Sequence, residues 1–426
     1  MGNIEIEKIE GGVTAAKGFK AGAAACGLKK GGKKDVALVV SDVPAAVAGI
    51  FTKNVIKGHS LQYTRDIVTG SEQAKANGAN KVNAVFINSG NANACLGGQG
   101  DANAQEMASY AAQQLGIKAR EVLLGSTGVI GMALDMSKIK SGIQAAVAAL
   151  SNSGGHNAAE AIMTTDTFAK EAAVEFQLSA KGRDGTVSCR IGGMAKGSGM
   201  ISPDMATMIS IITTDASISP ALLQQALKKA ADSSFNRITV DGDTSVCDMV
   251  VVLANGISEN RMIDREIHDG QEDDDYRTFY GALAEVCTSL SKMLAKDGEG
   301  ATKLVEITVS GAGNNSDAHL IASAIANSPL VKTAIFGEDA NCGRIITAAG
   351  YSGAKFDPSQ VDISINGMTF YKNGIAVRFD EIEAKKALSA KEIVISAEFK
   401  EGNGCDRMWT CDFSYDYVKI NGSYRS

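Results

Sequence analysis

The chain has 426 residues, 45% hydrophobic and 21% charged, a composition that excludes a disordered chain. Lys and Arg total 42 against 48 Asp and Glu, a net charge of −6, which argues against a protein built to hold nucleic acid. Length alone predicts roughly two or three domains, large enough to need no disulfide or metal staples.

The N-terminus, Met1-Gly2-Asn3-Ile4-Glu5-Ile6, lacks the basic-then-apolar layout of a signal segment. No uncharged apolar run reaches the ~18 residues of a membrane span. A soluble cytoplasmic protein is expected. Next comes the cluster Lys29-Lys30-Gly31-Gly32-Lys33-Lys34, which closes a GxxxxGK spacing begun at Gly27. Position 34 is Lys where a phosphate loop needs Ser or Thr, and the apolar run follows the cluster instead of preceding it. The cluster therefore reads as a basic turn.

Short β-branched runs predict strands at 36–40, 82–87, 208–213, 249–253, 304–309, 361–365 and 393–399, several of them buried on both faces, and the alternating tail 413–420 reads as a further strand that would dock the C-terminus. Apolar residues at helical spacing predict helices over 102–115, 139–150, 221–231, 279–294 and 318–326. Ser219-Pro220 supplies an N-cap and a first-turn proline for the third of these. Strands and helices mix without strict alternation, which favours a layered α+β fold over a doubly wound one. The polar stretch 268–277, with Asp273-Asp274-Asp275, reads as a solvated loop. Asp241-Gly242-Asp243-Thr244 resembles the start of a calcium loop but lacks the closing Glu, so calcium is rejected. The 8 cysteines form no CxxC pair and the 4 histidines are scattered, so no metal site is expected. Single scattered cysteines suit a reducing compartment.

The most unusual region is 192–216, GGMAKGSGMISPDMATMISIITTDA. It reads as a flexible glycine-rich segment ending in Ser202-Pro203-Asp204, then a hydrophobic strand beginning near Thr207. Such a junction places one hydroxyl at the edge of a core. Read alone, a threonine here is equally an ordinary strand residue.

A set of motifs in order along the chain resolves that choice. They are Gly12-Val13-Thr14 with Lys17-Gly18-Phe19, Asn88-Ser89-Gly90-Asn91-Ala92-Asn93-Ala94-Cys95, and Ser126-Thr127-Gly128-Val129-Ile130-Gly131. Met163-Thr164-Thr165-Asp166-Thr167, Met194-Ala195-Lys196-Gly197-Ser198-Gly199-Met200-Ile201 and Met205-Ala206-Thr207-Met208 follow. The last are Asp241-Gly242-Asp243-Thr244-Ser245, Asp297-Gly298-Glu299-Gly300-Ala301-Thr302-Lys303 and the terminal Asn421-Gly422-Ser423-Tyr424-Arg425-Ser426. Together they resemble the bifunctional ornithine acetyltransferase/glutamate N-acetyltransferase family of arginine biosynthesis over nearly the whole chain. Two runs depart from the family's usual pattern: Asp339-Ala340-Asn341-Cys342-Gly343-Arg344 and Asp243-Thr244-Ser245-Val246-Cys247-Asp248. Both leave the nucleophile and oxyanion motifs untouched.

The resemblance implies a chain that cuts itself between Ala206 and Thr207, giving an alpha chain 1–206 and a beta chain 207–426. Cleavage would free the Thr207 α-amine, whose pKa of about 7.7–8.0 lets it serve as general base for its own hydroxyl. Thr127 and Gly128 carry the family's oxyanion role. Thr164 or Thr165, Lys196, Thr207, Glu299, Asn421 and Ser426 match its substrate-binding positions. Lys196 suits a substrate carboxylate, and Glu299 either an amine or Lys196 itself. The implied reaction moves the acetyl group of N-acetylornithine to glutamate through an acetyl-threonine, in ping-pong fashion, with acetyl-CoA as a further donor in bifunctional members. No metal or tightly bound cofactor is implied. The implied fold is a layered α/β/β/α sandwich resembling N-terminal-nucleophile hydrolases with a distinct topology, plus a smaller C-terminal α/β part. The implied assembly is a heterotetramer of two alpha and two beta chains, with no membrane or nucleic-acid partner. Two other readings share these residues: an N-terminal-nucleophile aminopeptidase or amidase that hands the acyl group to water, and an uncleaved amino-acid-binding protein.

Overall fold

The structure, a computed structural model, describes residues 5–70, 81–202, 208–268 and 271–423. Nine strands form one sheet: β1 (Ile6–Ile9), β2 (Phe19–Ala24), β3 (Val36–Phe51), β4 (Lys81–Asn91), β5 (Val122–Val129), β6 (Lys170–Ser179), β7 (Thr186–Lys196), β8 (Ile209–Thr214) and β9 (Met249–Ala254). The order is β1-β6-β7-β8-β9-β3-β4-β5, with β2 also on β3. The long β3 joins two halves. Its first part pairs with β2 and β4, its last part with β9, and its register to β4 slips between Val40 and Ala45. A slip of this kind bends a strand and lets the sheet fold over.

Alternation along the strands sorts side chains into three cores. Val39, Val85, Ile87 and Leu123 share one core with Ile209, Ile211, Met249 and Val251, which places the two sheet halves face to face. Val36, Leu38, Phe86 and Leu124 point the other way, onto residues of helices Gly98–Leu115 and Met136–Ala148. Ile212, Val250 and Val252 point outward on the second half, onto helices Pro220–Asp232 and Asp274–Lys296. The result is the expected α/β/β/α layering. A strand buried on both faces favours apolar residues at nearly every position, and this is why the run at 249–253 stands out in the sequence; in β8 the buried Ser210 and Thr213 hydroxyls instead donate to the Met194 and Val13 carbonyls. Each such side chain contributes about 1.5–3 kcal/mol when fully buried.

Beyond a small hairpin of β10 (Ile267–His268) and β11 (Gln271–Glu272), the chain builds a second unit. Its strands are β12 (Leu304–Ala312), β13 (Asp362–Ile365), β14 (Met368–Lys372), β15 (Ile375–Ala376), β16 (Glu392–Glu398) and β17 (Gly404–Cys411). They pair in the order β15-β14-β13-β16-β12-β17. Helices Asn315–Asn327, Pro329–Phe336 and Gly343–Gly350 share its core, and Cys342 of one departing run is buried there. This is the smaller C-terminal α/β part.

Four local expectations change. Residues 192–196 belong to β7 and not to a flexible segment. A Cβ on Gly192 would lie 1.9 Å from the Gly12 carbonyl oxygen, so the glycine permits close packing. The acidic stretch 268–277 is more than a solvated loop. Asp273 is buried and caps helix Asp274–Lys296, accepting from the Asp275 and Tyr276 N–H groups, and Asp273 and Asp275 both hold Arg261 at 2.9 Å. The basic turn is a turn, Lys30–Gly32, but a strand precedes it as well as follows it. The tail alternation Phe413, Tyr415, Tyr417 suggests a strand, yet residues Tyr415–Ser423 are helical. Phe413 stacks on Tyr417, four residues on, with ring centroids 4.7 Å apart, and the Ser414 hydroxyl accepts the Asp416 N–H. That helical spacing, not the period of two, is what the rings obey. Among the described residues no helix is long and apolar enough to cross a membrane.

Candidate active site

A cleft of ≈ 140 Å³ gathers residues from seven parts of the chain. Thr127 and Gly128 come from the end of β5. Two residues earlier, a Cβ on Gly125 would lie 2.8 Å from Met249 Cε and 3.6 Å from Ile209 Cδ1. The missing side chain lets β5 lie directly over the starts of β8 and β9. Gly128 itself has φ 128°, and a Cβ there would lie 2.4 Å from the Gly90 carbonyl carbon. Only glycine fits.

The Asn88–Cys95 motif holds this strand end from behind. Ser126 Oγ donates to Asn88 Oδ1 at 2.6 Å and lies 2.7 Å from Ser60 Oγ. Asn88 Nδ2 donates to the Asn91 carbonyl at 2.8 Å, and Asn91 Nδ2 to the Met132 carbonyl at 2.9 Å. A buried polar network of this kind fixes backbone direction.

The floor is ionic. Lys170 Nζ lies 2.7 Å from Asp166 Oδ1 and 2.5 Å from Asp297 Oδ2, all of them buried. Lys196, at the end of β7 and 3% exposed, lies 4.0 Å from Asp166 Oδ2. Asp166 also accepts the Thr164 and Gly197 N–H groups at 2.9 and 2.6 Å. Burial works against its charge, but the Lys196 and Lys170 ammonium groups and these hydrogen bonds outweigh it, holding the carboxyl well below the usual carboxylate range. The carboxylate beside Lys196 is thus Asp166, and Glu299 is engaged elsewhere. Thr164 and Thr165 both line the cleft, and Thr165 Oγ1 lies 2.5 Å from Ser198 Oγ.

The opposite wall is acidic. Asp241 accepts the Met200 and Ile201 N–H groups at 2.7 and 3.0 Å, and burial pushes its pKa up. Glu299 Oε2 accepts from Asn421 Nδ2 at 2.8 Å, docking the C-terminal helix. Tyr417, on the same helix, has its phenol pushed up to about 12 by burial and by Asp241, Glu299 and Asp243. Ser245, Val246 and Cys247 of the other departing run also line the cleft, with burial pushing Cys247 up to about 12.

Seven expected site residues therefore meet here: Thr127, Gly128, Thr164, Thr165, Lys196, Glu299 and Asn421. Ala206, Thr207 and Ser426 lie outside the described residues. The neighbour of Thr207, Met208, is placed: its N–H donates to Asp248 Oδ1 at 2.9 Å, and its carbonyl accepts from Met249. Asp166, Asp241, Asp243 and Tyr417 were given no site role by the sequence. Three of them stand in quoted motifs, which is the one signal that could have found them. Among the described residues no group of His, Cys, Asp and Glu could hold a metal ion.

The sequence profile of the ArgJ family matches residues 20–426. The chain belongs to the ArgJ family. It is 50% identical over 425 residues to the arginine biosynthesis bifunctional protein ArgJ of Symbiobacterium thermophilum, covering 99% of this chain and 100% of that one. The ArgJ of Caldanaerobacter subterraneus subsp. tengcongensis is 46% identical, with the same coverage. The crystal structure of the Bacillus halodurans ArgJ is 46% identical, with a TM-score of 0.48, covering 51% of this chain and all of that one. An ornithine acetyltransferase from Mycobacterium tuberculosis, solved with ornithine, is 34% identical, with a TM-score of 0.40, covering 48% of this chain and all of that one. As an ArgJ member, the chain is an acyltransferase of arginine biosynthesis.

Proposed function

We propose that the chain moves the acetyl group of N-acetylornithine to glutamate through an acetyl ester of Thr207, after cutting itself between Ala206 and Thr207 into chains 1–206 and 207–426. The observation that carries this reading is the convergence of Thr127, Gly128, Thr164, Thr165, Lys196, Glu299 and Asn421 on one cleft, opposite the start of β8.

In the first half-reaction the Thr207 hydroxyl attacks the acetyl carbonyl and its own α-amine takes the proton. Thr127 and Gly128 stabilise the oxyanion, each donor being worth roughly 2.7–4 kcal/mol. Ornithine departs with the proton. Glutamate then attacks the ester and leaves as N-acetylglutamate. The charges suit both amino acids: Lys196 faces their carboxylates, and Asp241, Asp243 and Glu299 face the ornithine amine. Acetyl-CoA serves as a second donor. Two cleaved protomers form a cytoplasmic heterotetramer.

The test is an acetyl-transfer assay with N-acetylornithine and glutamate, following N-acetylglutamate and acetate. Equal amounts of ornithine and N-acetylglutamate are expected, with both lost in Thr207→Ala. Acetate without N-acetylglutamate would replace the reading with an amidase.

A further inference from the structure

The basic turn has no part in the reaction above, yet it borders the cleft. A cavity of ≈ 400 Å³ is lined by Lys29, Gly32, Lys33 and Lys34 on one side. It shares Thr164 with the catalytic cleft and reaches Asp166 on the floor. The larger cavity of ≈ 840 Å³ beneath the C-terminal helix shares no lining residue with the cleft.

The charges in this adjoining cavity do not cancel. Lys34 is answered by Glu160 at 2.7 Å, and Asp166 by Lys170 and Lys196. Lys29 Nζ is held by two neutral carbonyls, of Lys34 and Ala161, each at 2.9 Å. Burial lowers its pKa to about 8, with Asp35 and Asp166 pulling it back up and Lys196 and Lys33 pushing it down. Lys33 is exposed and makes no ion pair among the described residues. Gly31 and Gly32 have φ 76° and 69°, with nothing within 4 Å of where a Cβ would stand, so the turn is open to a ligand. The cleft, at ≈ 140 Å³, has room for an amino acid but not for a nucleotide.

We infer that this basic cavity binds the phosphate groups of a nucleotide thioester, the acyl-coenzyme A class of acetyl donor, while the thioester end reaches the cleft past Thr164. The inference rests on the acetyl-transfer reading and deepens it. In the transfer the thioester C–S bond breaks, an ester C–O bond forms at the nucleophile, and the hydroxyl proton passes through the general base to the sulfur, which leaves as a thiol.

The test compares two donors in wild type and Lys33→Glu, with Lys33→Arg as the charge-preserving control. In Lys33→Glu the KM for acetyl-CoA should rise about tenfold, the size of one lost charge-assisted contact, while transfer from N-acetylornithine stays within about twofold. Lys33→Arg should behave as wild type. Phosphoadenosine diphosphate should compete with acetyl-CoA and not with N-acetylornithine. An unchanged acetyl-CoA KM in Lys33→Glu overturns the inference, as does inorganic diphosphate competing as well as the nucleotide. Wild-type protein that exchanges acetyl between N-acetylornithine and glutamate but ignores acetyl-CoA overturns this inference and the second-donor role, and leaves the transfer from N-acetylornithine standing. Protein that does neither overturns the functional reading.

Discussion

The two sides of the cleft handle charge in opposite ways. On the floor, the buried side chains of Asp166, Lys170, Asp297 and Lys196 interlock, each beside an opposite charge. On the wall, Asp241, Asp243 and Glu299 line the space without a Lys or Arg ion pair among the described residues, and part of the wall hangs on a helix with no buried residue. A buried ion pair is costly to break because the remaining charge has nothing to answer it. In the proposed reaction a half-open acidic wall instead gains its counter-charge when the cationic substrate enters. The floor fixes geometry, and the wall exchanges charge.

The largest expected effect breaks the floor. Asp166→Asn leaves Lys170 with Asp297 alone and Lys196 with no carboxylate, and should cost about 3–5 kcal/mol in urea unfolding. A loss below about 1 kcal/mol would mean the floor is no more than a surface pair. The Asp166 carboxyl is lowered in the folded state, so its contribution is present above the unfolded value of about 3.9 and is lost as pH falls through the folded value. Asp166→Asn should flatten that acid limb of stability against pH.

Gly128→Ala comes next. The added methyl meets the Gly90 backbone at a φ of 128°, so the strand end must shift, and acetyl transfer should fall about 100-fold. Wild-type rates would remove the oxyanion role from this position. Glu299→Gln tests the wall. It should raise the KM for N-acetylornithine about tenfold while stability moves by less than about 0.5 kcal/mol. Equal losses of stability and affinity would make Glu299 part of the floor. Tyr417→Phe is the mildest. With its phenol pushed up to about 12, Tyr417 stays protonated in the working range, so the pH profile of turnover should be unaltered below about pH 10.

The same contrast explains what the sequence made legible. A strand such as β9 announces itself because both faces are buried and every residue is apolar. The proposed oxyanion and substrate positions were legible only through resemblance: nothing local in Ser126-Thr127-Gly128 says that Gly125 lets β5 lie on Met249. The floor was hidden for a physical reason. Lys170 finds one partner four residues away and the other across the fold at Asp297, and no periodicity records the second. The tail was misread because Phe413, Tyr415 and Tyr417 alternate, while the stacking of Phe413 on Tyr417 selects the helix.

The central claim is that the chain makes its own nucleophile and carries the acetyl group on it. The most direct measurement is the denatured intact mass of the purified protein, before and after N-acetylornithine without acceptor. The account predicts two chains of 206 and 220 residues, with only the second gaining one acetyl group, on its N-terminal Thr207. A single chain of 426 residues, or two chains with the acetyl group absent or placed elsewhere, would contradict it.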